Sequence, residues 1–418
     1  MVLIMMTSCV VVGLIIMHLR SIRVPKGLSE PGKYRLLMAS LVIPKFFENL
    51  YVLYHQGNIF ARVRARRFII ENIEPKPLEN VKGSNIRSRV TYFDGVKVRV
   101  YEPIKRKEGL QPGVIFIHGG GMVTGSPDSY DGLTRTMAER LDMFLVSIDY
   151  RLAPEHPFPT GYYDNLRATT WFLKNAHTFG VDAQRIAISG DSAGGNFAAG
   201  VSQAIHDDAT LPNIKLQILL YPGLQQLDFY SHSYQKYEAE FGDHGALTRG
   251  RVSDFVALYL HGKIDSTMVH RSVLLNDHVS QDLLDTSPVF KYVDRDLIPK
   301  EMRVSEKHAK QREEMERRAG SDEVWNHVQE FYLDPRFAPI VRDDLKGLPQ
   351  AMIVTCGFDC LRDDGVHYAR RLSDAGVKVH HKDYESAFHG VIWATKNVQF
   401  EVGKEMLSDV IDFISKHV

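Results

Sequence analysis

Past residue 86 the chain alternates short apolar runs with longer stretches of helical spacing. The first two runs flank Asp94-Gly95 in SRVTYFDGVKVRVYEP, where two β-rich segments around an Asp-Gly pair predict a hairpin. Five further runs read as buried strands: Val114 to Ile117, Phe144 to Asp149, Arg185 to Ser189, Leu216 to Tyr221 and Ala351 to Cys356. Val377 to Tyr384 is an eighth candidate. Helix-like stretches separate most of these runs. The pattern predicts an α/β fold whose central sheet starts antiparallel and continues mostly parallel, with helices on both faces.

Two intervals break this rhythm. Residues 28 to 75 read as helical, with Leu36, Leu37, Leu41, Phe46, Phe47, Leu50 and Tyr54 at roughly helical spacing. Gly223 to about Pro349 holds helical and charged segments but no convincing strand, and within it Lys300 to Arg318 is a mixed-charge run, read as a solvated helix or loop. Both intervals are candidates for a helical cap over the sheet, bounded at about 20–86 and 223–340. Their aromatic residues (Phe46, Phe47, Tyr51 and Tyr54 in one; Phe229, Tyr230, Tyr234, Phe241, Phe255 and Tyr259 in the other) are candidates for core or for the lining of a pocket entrance.

The N-terminus follows a third pattern. Met1 to Met17 carry no charge, and Leu19 extends the apolar run before Arg20. About 18 apolar residues suffice to cross a bilayer core of roughly 30 Å. A cleaved signal peptide wants a basic start and a small-x-small cleavage site, and neither is present. Residues 1–19 therefore read as an uncleaved signal anchor ahead of a domain spanning 20–418; a cleaved signal and a buried helix are the competing readings. Arg20, Arg23 and Lys26 follow the run, so the positive-inside rule alone would leave the bulk of the chain in the cytosol. No N-x-Ser/Thr sequon exists to settle orientation.

Composition narrows the function classes. The 418 residues balance 51 Lys+Arg against 51 Asp+Glu, which removes the general attraction toward phosphate backbones and argues against nucleic-acid binding. With 44% hydrophobic and 24% charged residues the chain reads as globular rather than disordered. A mean hydropathy of -0.20 excludes a polytopic membrane protein. The only cysteines, Cys9, Cys356 and Cys360, support neither a disulfide scaffold nor a Cys-rich zinc module, and no His/Asp/Glu group shows metal spacing. No metal and no cofactor are expected.

Candidate chemistry centres on Gly190-Asp191-Ser192-Ala193-Gly194. This G-x-S-x-G follows the apolar strand RIAIS and opens the small-residue helix AGGNFAAGVSQAI, the context in which the motif presents a nucleophile on a sharp turn. The competing reading is a plain helix N-cap. His118-Gly119-Gly120-Gly121 follows the strand VIFI; glycines there let backbone N–H groups approach a developing oxyanion. Gly119 and Gly120 are the expected donors, joined by Ala193, with His118 as a loop brace. The base and its orienting carboxylate should follow at later strand ends. Asp359 lies just after AMIVTC, and His389, in Phe388-His389-Gly390, lies a few residues past VKVHHKDY. Asp363 and Asp364 read better as helix N-terminal carboxylates.

Taken together, HGGG, Asp149-Tyr150-Arg151-Leu152-Ala153-Pro154-Glu155, GDSAGGN, FDCLRDDG and FHG resemble the hormone-sensitive-lipase family of α/β-hydrolases. The match is best to its membrane-anchored arylacetamide deacetylase and neutral cholesterol ester hydrolase branch, since the N-terminal run and Leu333-Asp334-Pro335-Arg336 to Pro339 fit as well. The resemblance implies the α/β-hydrolase fold and a serine carboxylester hydrolase using Ser192, His389 and Asp359. It also implies type II topology with the catalytic domain in the endoplasmic reticulum lumen, against the flanking-charge argument; the family orientation is followed. Members of this branch can pair a cysteine soon after HGGG with one near the catalytic acid. Here Met122-Val123 stand there, leaving Cys356 without that partner.

The expected substrate is a lipophilic small-molecule ester, with membrane lipid as the other partner and no obligate protein partner evident. An amidase differs only in its leaving group. Further alternatives are a ligand-binding pseudoenzyme and a membrane-tethered interaction protein using the charged run.

Overall fold

The computed structural model describes residues 21–56, 58–73, 76–105, 107–242, 245–304, 320–393 and 399–418. The expected anchor, residues 1–19, and most of the Lys300 to Arg318 run lie outside the described residues.

Three helices open the described chain: α1 (Pro31–Ser40), α2 (Val42–Tyr54) and α3 (Ile59–Ile73). The hairpin follows as β1 (Ile86–Phe93) and β2 (Val96–Pro103), with Phe93 paired to Val96 so that Asp94 and Gly95 form the two-residue turn. Then come β3 (Gln111–Ile117), α4 (Asp131–Leu141), β4 (Phe144–Ile148), α5 (Thr160–Asn175), β5 (Val181–Asp191), α6 (Ala193–Asp207) and β6 (Leu216–Leu220). A long excursion carries α7 (His232–Phe241), α8 (Arg249–Tyr259), α9 (Ser266–Leu275), α10 (Gln281–Thr286) and α11 (Asp322–Tyr332). The chain closes with β7 (Gln350–Phe358), α12 (Arg362–Asp374), β8 (Val379–Phe388) and α13 (Glu401–His417).

All eight strands join one sheet in the order β1-β2-β4-β3-β5-β6-β7-β8. β2 pairs antiparallel with both β1 and β4, and every later pair is parallel. The continuous apolar runs have the expected cause: β4 and β6 are buried along their whole length because helices cover both faces. α4 and α13 pack together on one side, while α5 and α6 pack together on the other.

β8 runs further than its apolar pattern suggests, through Glu385 and Ser386 to Phe388, so His389 follows the strand directly. It is an edge strand, and polar residues facing solvent do not end its pairing with β7. The two rhythm-breaking intervals are helical and touch each other. Arg66 of α3 faces Asp254 of α8 at 3.7 Å, and the Phe60 ring meets His261 edge-on at 5.4 Å.

Candidate active site

β5 delivers Ser192 at its carboxyl end, and α6 starts at the next residue. Between them the backbone of Ser192 takes φ 54° and ψ −121°, a conformation that L-residues adopt only where surrounding structure enforces it. The enforcement is close packing. A Cβ on Gly194 would lie 2.0 Å from the carbonyl oxygen of Ile117 at the end of β3, so only glycine lets the new helix pass that strand. Ser192 N–H also donates to the Leu220 carbonyl of β6 at 2.9 Å, fastening the turn to both neighbouring strands.

The structure brings Ser192, His389 and Asp359 into one chain of hydrogen bonds. His389 Nε2 lies 2.9 Å from Ser192 Oγ, and its Nδ1 lies 2.7 Å from Asp359 Oδ2. Asp359 is buried, and its other oxygen accepts from Leu361 N–H at 2.9 Å, so the carboxylate cannot rotate away. The Tyr221 ring meets the imidazole edge-on at 5.0 Å and holds its plane. His380 and His381 lie inside β8 and His367 inside α12, and their partners are elsewhere: His380 stacks on Phe413, His381 bonds Thr355 and His367 bonds the Asp294 carbonyl.

The glycine loop departs from expectation at one position. Gly119 N–H donates to Asp191 Oδ1 at 2.8 Å, so it is already occupied and cannot serve an oxyanion. The residues that border the cavity beside Ser192 and Ala193 are Gly120 and Gly121. Gly120 has φ 111°, and a Cβ there would meet the Thr124 carbonyl oxygen at 2.1 Å. The Gly121 backbone is roofed by the Phe255 ring of α8, which leaves no room for a side chain.

Asp191, the variable position of the serine motif, was not singled out from sequence. It is fully buried, binds Gly119 N–H through one oxygen and accepts from Tyr130 Oη at 3.0 Å through the other. Burial pushes its carboxyl up to about 6 despite both hydrogen bonds. The only sequence signal was an acidic residue amid small apolar ones. His118 acts as the expected brace: its Nδ1 bonds the Gly119 carbonyl at 2.8 Å and its ring stacks on Tyr150 at 4.3 Å. Burial pushes this imidazole down to about 4, so it stays neutral.

Asp363 and Asp364 do sit in the first turn of α12, yet both are buried and face the excursion. Asp363 accepts from Ser233 N–H at 2.8 Å, while Asp364 accepts from Leu224 N–H at 2.9 Å and Gln225 Nε2 at 3.0 Å. Burial pushes Asp364 up to about 8.

A cavity of about 230 Å³ opens onto Ser192 and His389. Its walls beyond the site are mainly apolar and come from the excursion, including Phe229, Tyr234, Val256 and Tyr259, with Phe337 and Trp393 completing them. Of the aromatic residues read as core or entrance lining, Tyr230 and Phe241 are buried core that does not line the cavity, and Phe46, Phe47, Tyr51 and Tyr54 are exposed. Among the described residues no group of His, Cys, Asp and Glu is arranged to hold a metal ion, and Cys356 and Cys360 are free and buried.

This architecture, a mostly parallel sheet with a strained serine between strand and helix, is that of an α/β-hydrolase. Residues 114–296 and 295–393 match a family model described as alpha/beta hydrolase fold, and the chain belongs to that family. It is 34% identical to neutral cholesterol ester hydrolase 1 of Bos taurus over 95% of each chain. It is 37% identical to arylacetamide deacetylase of Oryctolagus cuniculus over 88% of this chain and 89% of that one. Among solved structures, an ester-hydrolase from the metagenome of Lake Arreo superposes with a TM-score of 0.61 at 25% identity, covering 90% of this chain and 98% of the other. A hyperthermophilic esterase from the archaeon Pyrobaculum calidifontis gives a TM-score of 0.60 at 25% identity, covering 85% and 91%.

Proposed function

We propose that this chain is a membrane-anchored serine carboxylic ester hydrolase acting on lipophilic esters. The observation that carries the reading is the hydrogen-bonded series Ser192–His389–Asp359 opening onto an apolar cavity. Ser192 Oγ attacks the ester carbonyl while His389 Nε2 takes its proton. Asp359 keeps the proton on Nδ1 and stabilises the imidazolium that forms. The backbone N–H groups of Gly120, Gly121 and Ala193 receive the oxyanion, with Gly119 excluded because Asp191 holds it. His389 then protonates the departing alcohol. Water repeats the cycle on the acyl-enzyme and releases the acid.

Substrate class follows from the walls and the relatives. A cavity of about 230 Å³ exceeds the roughly 150 Å³ that holds a benzene, but falls below the range of about 300–1,000 Å³ for whole drug-sized ligands. It accommodates one aryl or short acyl arm, and the remainder of a larger ester would extend through the opening. Relatives named for cholesterol ester hydrolysis and arylacetamide deacetylation support a lipophilic substrate. The second of these names also favours amide hydrolysis as a second reading, because only the leaving group differs.

The helical intervals 20–86 and 223–340 are read as the cap that closes this site. The apolar run 1–19 is read as a type II anchor that places the domain in the endoplasmic reticulum lumen, supported by the family resemblance.

The test uses a fluorophosphonate probe on the purified full-length protein. Labelling should abolish turnover of a neutral ester, and a folded Ser192→Ala variant should lose both labelling and turnover, the latter by several orders of magnitude. Near-normal turnover in that variant would end the assignment, and a panel pairing acyl esters with an arylacetamide separates the two readings.

A further inference from the structure

Helix α2 is built inside out. Its inward side carries Glu48 and Val52, both buried, and Glu48 is bonded to Arg66 of α3 at 2.8 Å. The outward side carries Phe46, Phe47, Leu50, Leu53 and Tyr54, each between 52% and 83% exposed. At 100° per residue these five occupy one continuous half of the helix, opposite Glu48 and Val52. A helix resting on a protein body in water buries its apolar stripe and exposes its charges. This one buries a glutamate and turns most of its large apolar side chains outward. Phe68 of α3, 69% exposed, adds another aromatic ring from the adjoining helix.

We infer that the outward face of α2 is a membrane-contact surface that lies in the plane of a lipid bilayer's interface, separate from the N-terminal run. Pro31–Tyr54 is long and apolar enough to cross a membrane by length and composition. Packing rules out that arrangement. Tyr34 is fully buried in the body against Phe241 and Phe388, with ring centroids 5.7 and 4.9 Å away, and Glu48 is tied to α3. A helix fastened along one side to its own protein can present only the other side to lipid. Aromatic and aliphatic residues there suit the boundary between headgroups and acyl chains.

The occupant is identified by what precedes the described chain. The charge-free apolar residues 1–17 end only a few residues before Ser21, so a bilayer holding that run lies within reach of α2. The inference rests on the anchor reading for this proximity alone. The surface also connects to the site. Arg67 of α3 donates to the Val123 carbonyl at 2.8 Å and the Ala153 carbonyl at 2.7 Å, and it pairs with Glu155. Met122, adjoining Val123, lines the cavity. Seating α2 on lipid would thus set the glycine-loop side of the cavity close to the bilayer, where a lipophilic ester is dissolved.

The experiment reconstitutes the full-length protein in phosphatidylcholine vesicles whose acyl chains carry a photoreactive diazirine. After irradiation and proteolysis, lipid adducts should appear on peptides containing Phe46 to Tyr54 as well as on residues 1–19. Adducts on 1–19 alone would overturn the surface and keep the anchor, as expected if the N-terminal run or a second copy covers α2. Adducts on α2 alone would keep the surface and overturn the anchor. A second arm uses full-length Phe47→Ser/Leu50→Ser/Leu53→Ser. Its turnover of a long-chain ester dissolved in the vesicles should fall several-fold, with turnover of a water-soluble short-chain ester unchanged. A parallel change in both substrates, or none in either, would overturn the inference.

Discussion

Gly119 gives its N–H to the carboxylate of Asp191 across 2.8 Å, joining the glycine loop after β3 to the residue before Ser192. The two turns that border the cavity beside Ser192 are therefore held by one buried carboxylate rather than by separate scaffolds. Tyr130 completes the clamp from the start of α4. In the proposed mechanism this bond removes Gly119 from the set of oxyanion donors and leaves it to position the loop.

Replacing Asp191 should consequently impair chemistry more than binding. Asp191→Ala should lower kcat by about 10- to 100-fold with little change in KM, short of the 10²–10³ loss typical of deleting an oxyanion donor outright. Asp191→Asn keeps an acceptor for Gly119 N–H and should retain most of the activity. Steady-state kinetics on a short neutral ester checks this. Equal losses in the two variants would show that charge, not the Gly119 bond, is what matters.

The size and polarity of the cavity set a response to chain length. Each methylene added to the arm that enters it should contribute up to about 0.8 kcal/mol, roughly a fourfold gain in kcat/KM, until the space is full. The gain should last a few carbons and then level or reverse. A homologous series of neutral esters kept below their micellar concentrations measures it, with a succinate monoester as charged control. A flat series, or preference for the charged ester, would refute the lipophilic pocket and leave the serine chemistry untouched.

Asp364 makes stability depend on pH in a direction opposite to that of a surface carboxylate. Its folded value of about 8 lies above the 3.8 of an open chain, because burial disfavours the charge. Between those values the folded protein keeps a proton that the unfolded chain releases. The stability this contributes is complete below about pH 4 and is lost progressively as pH rises through about 8. Thermal unfolding between pH 5 and 8.5 should show the parent falling with pH relative to Asp364→Asn, which cannot titrate there. Parallel profiles would contradict the assignment.

Orientation can be read from protease access. If the domain is luminal, added protease should leave it intact in sealed microsomes and digest it once detergent opens them. Digestion without detergent would show that Arg20, Arg23 and Lys26 had decided the topology instead. Carbonate extraction should leave the full-length chain in the membrane pellet.

The features most legible in the sequence were those written in contiguous residues. Eight apolar runs, the Asp94-Gly95 turn and the strand–GDSAG–helix order were legible because backbone geometry imprints its own period on neighbouring positions. The positions of Ser192, Asp359 and His389 could be named for the same reason, since each follows a recognisable strand end. Which partner takes a given donor depends on the packing of distant segments. Nothing near Gly119 in the chain announces that a carboxylate 72 residues later will occupy its N–H. Nor could composition near Asp363 and Asp364 show that they bind the excursion after β6 rather than solvent. The helical spacing of residues 28–75 was plain, but a protein core and a lipid surface attract the same apolar side chains. Only the packing of Glu48 inward and Leu50 outward tells which way α2 faces.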